Sequence, residues 1–134
     1  MAVVGVADTH AALWYLYNDP RLSTVAATFI DQAASSGSRI AVSSISLAEI
    51  IYLIEKKRVP ANTYADLEGA LDDPDHAFSE VPRTKSVVRF MRDIPRASIP
   101  DMPDRIVAAT ALHLGVPVIT AGGYIRASAV HTIW

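Results

Sequence analysis

Residues 3–8 read Val-Val-Gly-Val-Ala-Asp, an unbroken apolar run that ends on a carboxylate. The run does not alternate between apolar and polar side chains, so it predicts a strand buried on both faces, as strands of parallel sheets are. In open parallel sheets, sites form beyond the carboxyl ends of the strands. Asp8 follows the predicted strand directly and is therefore the first candidate site residue.

Strands and helices alternate along the rest of the chain. Four further strands are expected at residues 40–43, 77–81, 116–120 and 130–134. Helices are expected at residues 9–17, 23–35, 46–57, 62–71, 85–92 and 105–114. This order is typical of βαβ units, and it predicts a three-layer α/β/α fold with a mainly parallel central sheet. The length favours a single domain over residues 1–134.

Composition limits the class of protein. Of 134 residues, 51% are hydrophobic and 19% are charged, which is the balance of a globular domain with its own core. The absence of cysteine excludes disulfides and thiolate metal sites. Residues 1–17 are apolar but lack a basic start, and Asp8 and His10 interrupt them, so they do not predict a signal peptide. No stretch approaches the roughly 20 apolar residues of a membrane span, and we expect a cytoplasmic protein.

Charge argues against a large nucleic-acid footprint. The net charge is −2 and the pI is about 6.0, whereas proteins that bind nucleic acid by bulk electrostatics are usually basic. A local basic rim around an acidic site stays compatible with these values. Arg105 and Arg126 are candidates for such a rim, because a protein that binds nucleic acid needs cations near the phosphate backbone.

Polar residues follow the other predicted strands as well. Glu49 lies in the helix after the second strand, Asp101 and Asp104 open the helix before the fourth strand, and Thr120 ends that strand. We expect these side chains to meet Asp8 at one edge of the sheet.

Converging carboxylates need a compensating charge, because buried like charges are costly. Oxygen ligands without cysteine select a hard cation, Mg²⁺ or Mn²⁺. Such an ion activates water and stabilises the charge of an in-line phosphoryl displacement.

Each acid also has a purely structural interpretation. Asp8 is a favoured N-cap for the helix that follows it. Residues 46–49 read Ser-Leu-Ala-Glu, a capping-box pattern in which Glu49 would bond back to the helix start. Asp101 and Asp104 are acids that the helix dipole favours in a first turn. Only the ordered combination favours a metal site over three separate helix starts.

Three segments carry a family resemblance. Residues 6–10 read Val-Ala-Asp-Thr-His, residues 43–50 read Ser-Ser-Ile-Ser-Leu-Ala-Glu-Ile, and residues 101–111 read Asp-Met-Pro-Asp-Arg-Ile-Val-Ala-Ala-Thr-Ala. They resemble, in order, the three acidic motifs of PIN-domain nucleases, and more narrowly those of VapC-type toxins of bacterial toxin–antitoxin pairs. The closing segments 115–120 and 132–134 are similar to that group too, so the resemblance spans nearly the whole chain.

The resemblance implies a metal-dependent endoribonuclease that acts on RNA as the toxin of a type II toxin–antitoxin system. It also implies a homodimer and a small VapB-type antitoxin as inhibitor. By match, Asp8, Glu49 and Asp104 would be the catalytic acids, and Asp8 and Asp104 would ligate Mg²⁺ or Mn²⁺. Asp101 would neighbour the site, and Thr120 would support it with its hydroxyl.

One position departs from the family pattern. The family often places a fourth acid two residues after the threonine, but residues 120–123 here read Thr-Ala-Gly-Gly. Gly122 stands where that acid is expected. Its loss is compatible with weaker metal binding, a single ion or compensation by Asp101. It is equally compatible with a PIN-fold protein that binds RNA or an antitoxin without cutting.

A phosphatase or phospho-acceptor domain also places an aspartate after its first strand. Here Thr9-His10 follows Asp8, with no second acid two residues on, and this weakens that alternative.

The first helix carries more apolar surface than one core face needs. Its large side chains are Leu13, Trp14, Leu16 and Tyr17. Two interpretations stay open. These side chains are either simply buried in the core, or they form a groove for a partner segment or for a second copy of the chain.

Overall fold

Five parallel strands form the central sheet of the computed structural model, which describes residues 2–134. The strands are β1 (Val3–Ala7), β2 (Arg39–Ser43), β3 (Phe78–Val81), β4 (Val118–Ile119) and β5 (Thr132–Ile133). Their order across the sheet is β3-β2-β1-β4-β5, and all four pairings are parallel. The predicted parallel sheet is confirmed, although β4 and β5 are shorter than expected.

Seven α-helices are present in residues 2–134. They are α1 (Thr9–Leu16), α2 (Thr24–Ser35), α3 (Ser44–Glu55), α4 (Thr63–Asp72), α5 (Lys85–Phe90), α6 (Met102–Leu114) and α7 (Gly123–Ala127). None of them combines the length and the hydropathy that a membrane span requires.

Two helix starts differ from the prediction by more than one residue, and one helix was not predicted. Helix α3 begins at Ser44 rather than at residue 46, because Ser43 caps it. Helix α6 begins three residues early, because Asp101 caps it and Pro103 fits its first turn. The sequence did not predict α7, a single short turn that starts at Gly123.

Alternate residues of the strands pack on opposite faces of the sheet, which gives three layers. Ala7 of β1 belongs to a core cluster that contains Leu13, Ile30 and Leu67 from α1, α2 and α4. The preceding Val6 belongs to a second cluster, formed with residues of α5, α6 and α7. The predicted α/β/α arrangement is confirmed.

Gly5 lets α2 pack closely on β1. A Cβ atom at this position would lie 3.0 Å from Cε1 of Phe29 on α2, so the Phe29 ring would have to shift by a few tenths of an ångström. The strand that leads to Asp8 is therefore closely packed against α2.

Candidate active site

Asp8 and Thr120 meet at the carboxyl edge of the sheet. Ala7 of β1 pairs in register with Ile119 of β4, and Asp8 and Thr120 are the residues that directly follow these two. The Thr120 hydroxyl donates a hydrogen bond to Oδ2 of Asp8. The same hydroxyl accepts a bond from the backbone N–H of Gly122 at 2.8 Å. Thr120 and Asp8 are both buried, so this contact is shielded from solvent.

Asp8 also caps helix α1, as the structural interpretation proposed. Its Oδ1 accepts a hydrogen bond from the Ala11 N–H at 2.8 Å. Burial raises the pKa of Asp8, although the bonds from Thr120 and Ala11 and the nearby His10 act in the opposite direction. The Asp8 carboxylate therefore caps the start of α1 and also places a buried carboxyl group at the carboxyl edge of the sheet.

Glu49 does not belong to a capping box, and that prediction is wrong. The N-cap of α3 is Ser43, whose hydroxyl accepts a bond from the Ile45 N–H at 3.2 Å. Because α3 begins before Ser46, that serine lies within the helix, fully buried. Glu49 points across to α1 instead, where its Oε1 accepts a hydrogen bond from the Thr9 hydroxyl at 2.5 Å.

Asp101 and Asp104 start helix α6 together. Asp101 is the N-cap, and its Oδ2 accepts a bond from the Asp104 N–H at 3.1 Å. Asp104 is half-buried, and burial raises its pKa to about 6, with further contributions from the negative charges of Asp101, Asp8 and Glu49. The other three predicted acids are therefore close enough to Asp104 to influence its pKa.

These acids line one cleft of about 560 Å³. Its walls are formed by Asp8, Thr9, His10, Trp14, Glu49, Asp101, Asp104, Ala121, Gly122 and Tyr124. No lysine or arginine lines this cleft, and within residues 2–134 the one salt bridge joins Arg21 and Asp19. None of the four acids is neutralised by a salt bridge to a described residue.

The donor set fits a hard divalent cation in its chemistry, since it offers carboxylate oxygens and a surplus of negative charge. Nevertheless, no three acidic or histidine side chains in the described part of the chain form a ready-made metal cluster. Mg²⁺ commonly takes only one or two protein carboxylates and completes its shell with water and substrate phosphates. The two ligands predicted from the sequence, Asp8 and Asp104, would suffice for that mode.

Gly122 lies in the wall of the cleft, where the resemblance expects a carboxylate. Its φ of −62° is open to any residue. A Cβ atom there would lie 3.1 Å from Oγ1 of Thr120, which is tight but not prohibitive. The backbone therefore does not require glycine at this position.

Sequence reasoning missed several residues of the cleft. Thr9 and Tyr124 both line it, and the Tyr124 side chain is 60% exposed. Thr9 lies in the first motif, residues 6–10, but the motif did not show its role, and Tyr124 belongs to none of the quoted motifs. The role of Thr9 depends on a contact with a distant segment.

Arg105, in contrast, does not line the cleft. Its Nη2 donates to the carbonyls of Met91 at 2.8 Å and Ile94 at 2.9 Å, so it anchors the loop before α6.

A larger groove of about 730 Å³ adjoins the cleft and shares His10, Trp14 and Glu49 with it. Its other walls come from α1 and the loop after it, from α3, and from the segment from Arg58 to Thr63. The α1 surface is partly core and partly groove, and the docking of a partner or a second copy there stays a prediction. Leu13 is buried in the core, whereas Tyr17 lines the groove with nearly half of its surface exposed.

The geometry described so far defines an α/β domain with an acidic cleft at the carboxyl edge of its parallel sheet. The sequence matches the PIN domain family over residues 6–129. The chain belongs to the PIN domain family, as the resemblance indicated.

Two solved structures are similar in fold. A chain in the crystal structure of VapBC2 from Rickettsia felis, bound to a DNA fragment from their promoter, superposes with a TM-score of 0.70 at 15% identity. That match covers 97% of each chain. A chain of a toxin–antitoxin complex from Klebsiella pneumoniae superposes with a TM-score of 0.63 at 18% identity. It covers 97% of this chain and 96% of that one. No curated protein sequence matches the chain.

Proposed function

We propose that the protein is a metal-dependent endoribonuclease and the toxin of a type II toxin–antitoxin pair. The observation that carries the proposal is the convergence of Asp8, Glu49, Asp101 and Asp104 on one cleft, with no salt bridge to neutralise them within residues 2–134. Membership of the PIN domain family supports a nuclease. Mutual repulsion of these acids favours a bound cation.

In this proposal Asp8 and Asp104 hold the cation, which is Mg²⁺ or Mn²⁺. When bound, such an ion supplies an activated water and stabilises the charge that develops on a scissile phosphate. Thr120 and the Ala11 N–H fix the two oxygens of Asp8. Asp101 fixes the first turn of α6, which carries Asp104, and Glu49 completes the set of catalytic acids.

The partner in this proposal is a VapB-type antitoxin. The groove beside the cleft offers Trp14 and Tyr17 to a partner segment, and it leads to Glu49 in the acidic cleft. A basic side chain at the end of that segment would neutralise the acids and block the site. Both similar structures were solved as VapBC or toxin–antitoxin complexes, which supports a partner of this kind. We also propose a homodimer, which light scattering of the purified protein tests.

An RNA cleavage assay tests the activity. The purified protein should cut a structured RNA in Mn²⁺ or Mg²⁺ and lose this activity in excess chelator. Asp8→Asn keeps the size of the side chain and removes its charge, so it should abolish cleavage. Persistent cleavage in chelator, or by Asp8→Asn, would overturn the mechanism.

Two observations favour a second candidate, a PIN-fold protein that binds RNA or an antitoxin without cutting. Gly122 supplies no carboxylate, and the described residues form no three-acid metal cluster. Calorimetric titration with Mn²⁺ separates the two candidates. Heat of binding that Asp8→Asn removes supports the nuclease, whereas no metal binding together with intact RNA binding supports the second candidate.

A further inference from the structure

Thr9 joins two of the acidic segments through one hydroxyl group. It is the first residue of α1, directly after Asp8, and only 4% of its surface is exposed. Its Oγ1 lies 2.5 Å from Oε1 of Glu49 on α3 and 2.9 Å from the hydroxyl of Ser46. Residues 9 and 49 are 40 positions apart, so the contact is purely tertiary.

The chemistry of these groups fixes the direction of the bonds. A hydroxyl has one proton to donate, and a carboxylate is a pure acceptor. The Thr9 proton therefore goes to Glu49, and the second contact is completed by the Ser46 proton. The distance from Thr9 to Glu49 is typical of a charge-assisted bond between a hydroxyl and a carboxylate, which is stronger than a neutral one.

Glu49 needs such a contact in order to stay in the cleft. A glutamate side chain has several rotatable bonds and loses much conformational freedom when it is held in one place. Asp104 lies near enough for its pKa to respond to the charge of Glu49. That repulsion favours rotamers that carry the Glu49 carboxylate away into solvent.

We propose that the Thr9 hydroxyl, oriented by Ser46, is a positioning group that holds the Glu49 carboxylate in the cleft beside the other acids. The inference rests on the proposed function, because the expected consequence of this positioning is the assembly of the cation site. The contact itself joins two side chains of this chain. Glu49 would add its negative charge beside a cation held by Asp8 and Asp104, so loss of its position should lower the affinity for that cation by about tenfold.

The hydroxyls of Thr9 and Ser46 have different roles. Loss of the Thr9 hydroxyl removes the bond to Glu49 directly. Loss of the Ser46 hydroxyl leaves Thr9 free to donate to Glu49 but without the contact that orients it. The effect of Ser46→Ala should therefore lie between those of the wild type and Thr9→Val.

The variant Thr9→Val tests the inference, because valine keeps the shape of threonine and lacks its hydroxyl. Thr9→Ser restores the hydroxyl, and Thr9→Ala provides a second deletion if the valine variant does not fold. Side-chain couplings of ¹³C-labelled glutamate, measured by NMR without metal, report whether Glu49 occupies one rotamer. Calorimetry with Mn²⁺ alone then reports the affinity of the site.

We expect one Glu49 rotamer in the wild type and in Thr9→Ser, and averaged couplings in Thr9→Val. Mn²⁺ affinity should fall about tenfold in Thr9→Val and recover in Thr9→Ser. Unchanged Glu49 couplings in Thr9→Val, with only a lower melting temperature, would overturn the inference and leave Thr9 with a packing role. If the wild type binds no Mn²⁺, the proposed function fails, and the couplings alone decide the positioning contact.

Discussion

The hydroxyl of Thr120 donates to the carboxylate of Asp8, and this bond joins residues that are 112 positions apart in the chain. The bond links the carboxyl ends of the neighbouring strands β1 and β4. The Thr120 hydroxyl also accepts a hydrogen bond from the Gly122 N–H. A single side chain therefore links Asp8 to the loop in which Gly122 stands where the family often has a further acid.

Replacement of Thr120 by valine should destabilise the protein and weaken its metal site. The variant leaves a buried Asp8 oxygen and the Gly122 N–H without their partner, at a cost of about 1–3 kcal/mol in the free energy of unfolding. The pKa of Asp8 should rise further, because the lost bond lowers it in the wild type. Urea denaturation measures the first effect and Mn²⁺ calorimetry the second. Thr120→Ser is the matched control, and equal losses in both variants would contradict the role of the hydroxyl.

Gly122→Asp should increase the affinity for Mn²⁺ by about tenfold, because affinity for hard cations rises with the number of charged oxygen ligands. The backbone accepts a side chain here once Thr120 shifts by a few tenths of an ångström. An aspartate would also supply the side-chain cap that α7 lacks. Gly122→Asn controls for capping and shape without the charge. Equal Mn²⁺ affinities for the two variants would show that this position lies away from the ion.

In the metal-free protein, Asp104 should make stability fall as the pH rises from about 4 to about 6. The pKa of Asp104 is raised from 3.8 to about 6 in the folded chain. Between these values the folded state binds the proton more tightly than the unfolded state does, so deprotonation favours unfolding. Above about pH 6 this contribution is constant.

Denaturation in chelator across this pH range tests the effect of Asp104. Asp104→Asn should flatten the curve and stabilise the chain at pH 7. The same pH dependence in Asp104→Asn and in the wild type would show that the pKa of Asp104 is not raised in the folded chain.

Tyr124 should contribute to RNA binding through stacking. Its side chain is 60% exposed and lines the acidic cleft, whose walls contain no lysine or arginine to hold the substrate. Stacking of an unpaired base on an aromatic ring contributes about 1–3 kcal/mol to binding. Tyr124→Ala should weaken binding to single-stranded RNA by that amount in a fluorescence titration, and Tyr124→Phe should bind as the wild type does. If the alanine and phenylalanine variants bind equally, stacking has no part.

The sequence was sufficient for the sheet and for the convergence of the acids. An apolar run such as residues 3–7 has few alternatives to a buried parallel strand, and Asp8 and Thr120 directly follow strands whose carboxyl ends share one edge. These features depend on local pattern and on a general rule of parallel sheets.

The remaining features depend on tertiary contacts. The pattern at Ser46 and Glu49 fits a capping box, but the N-cap of α3 is Ser43. Glu49 therefore lies inside the helix and accepts a hydrogen bond from Thr9 instead. Helix α7 is too short to show a periodic signal, and glycine occupies both its N-cap and its first position. Thr9 belongs to the first motif, but its bond to Glu49 depends on the packing of α1 against α3, which the sequence pattern does not show.

Crystals soaked in Mn²⁺ test the central claim most directly, because anomalous scattering locates the ion and its ligands. We predict a peak in the cleft, bound by the carboxylates of Asp8 and Asp104. No peak in the cleft at saturating Mn²⁺, or a peak that neither carboxylate contacts, would contradict the claim.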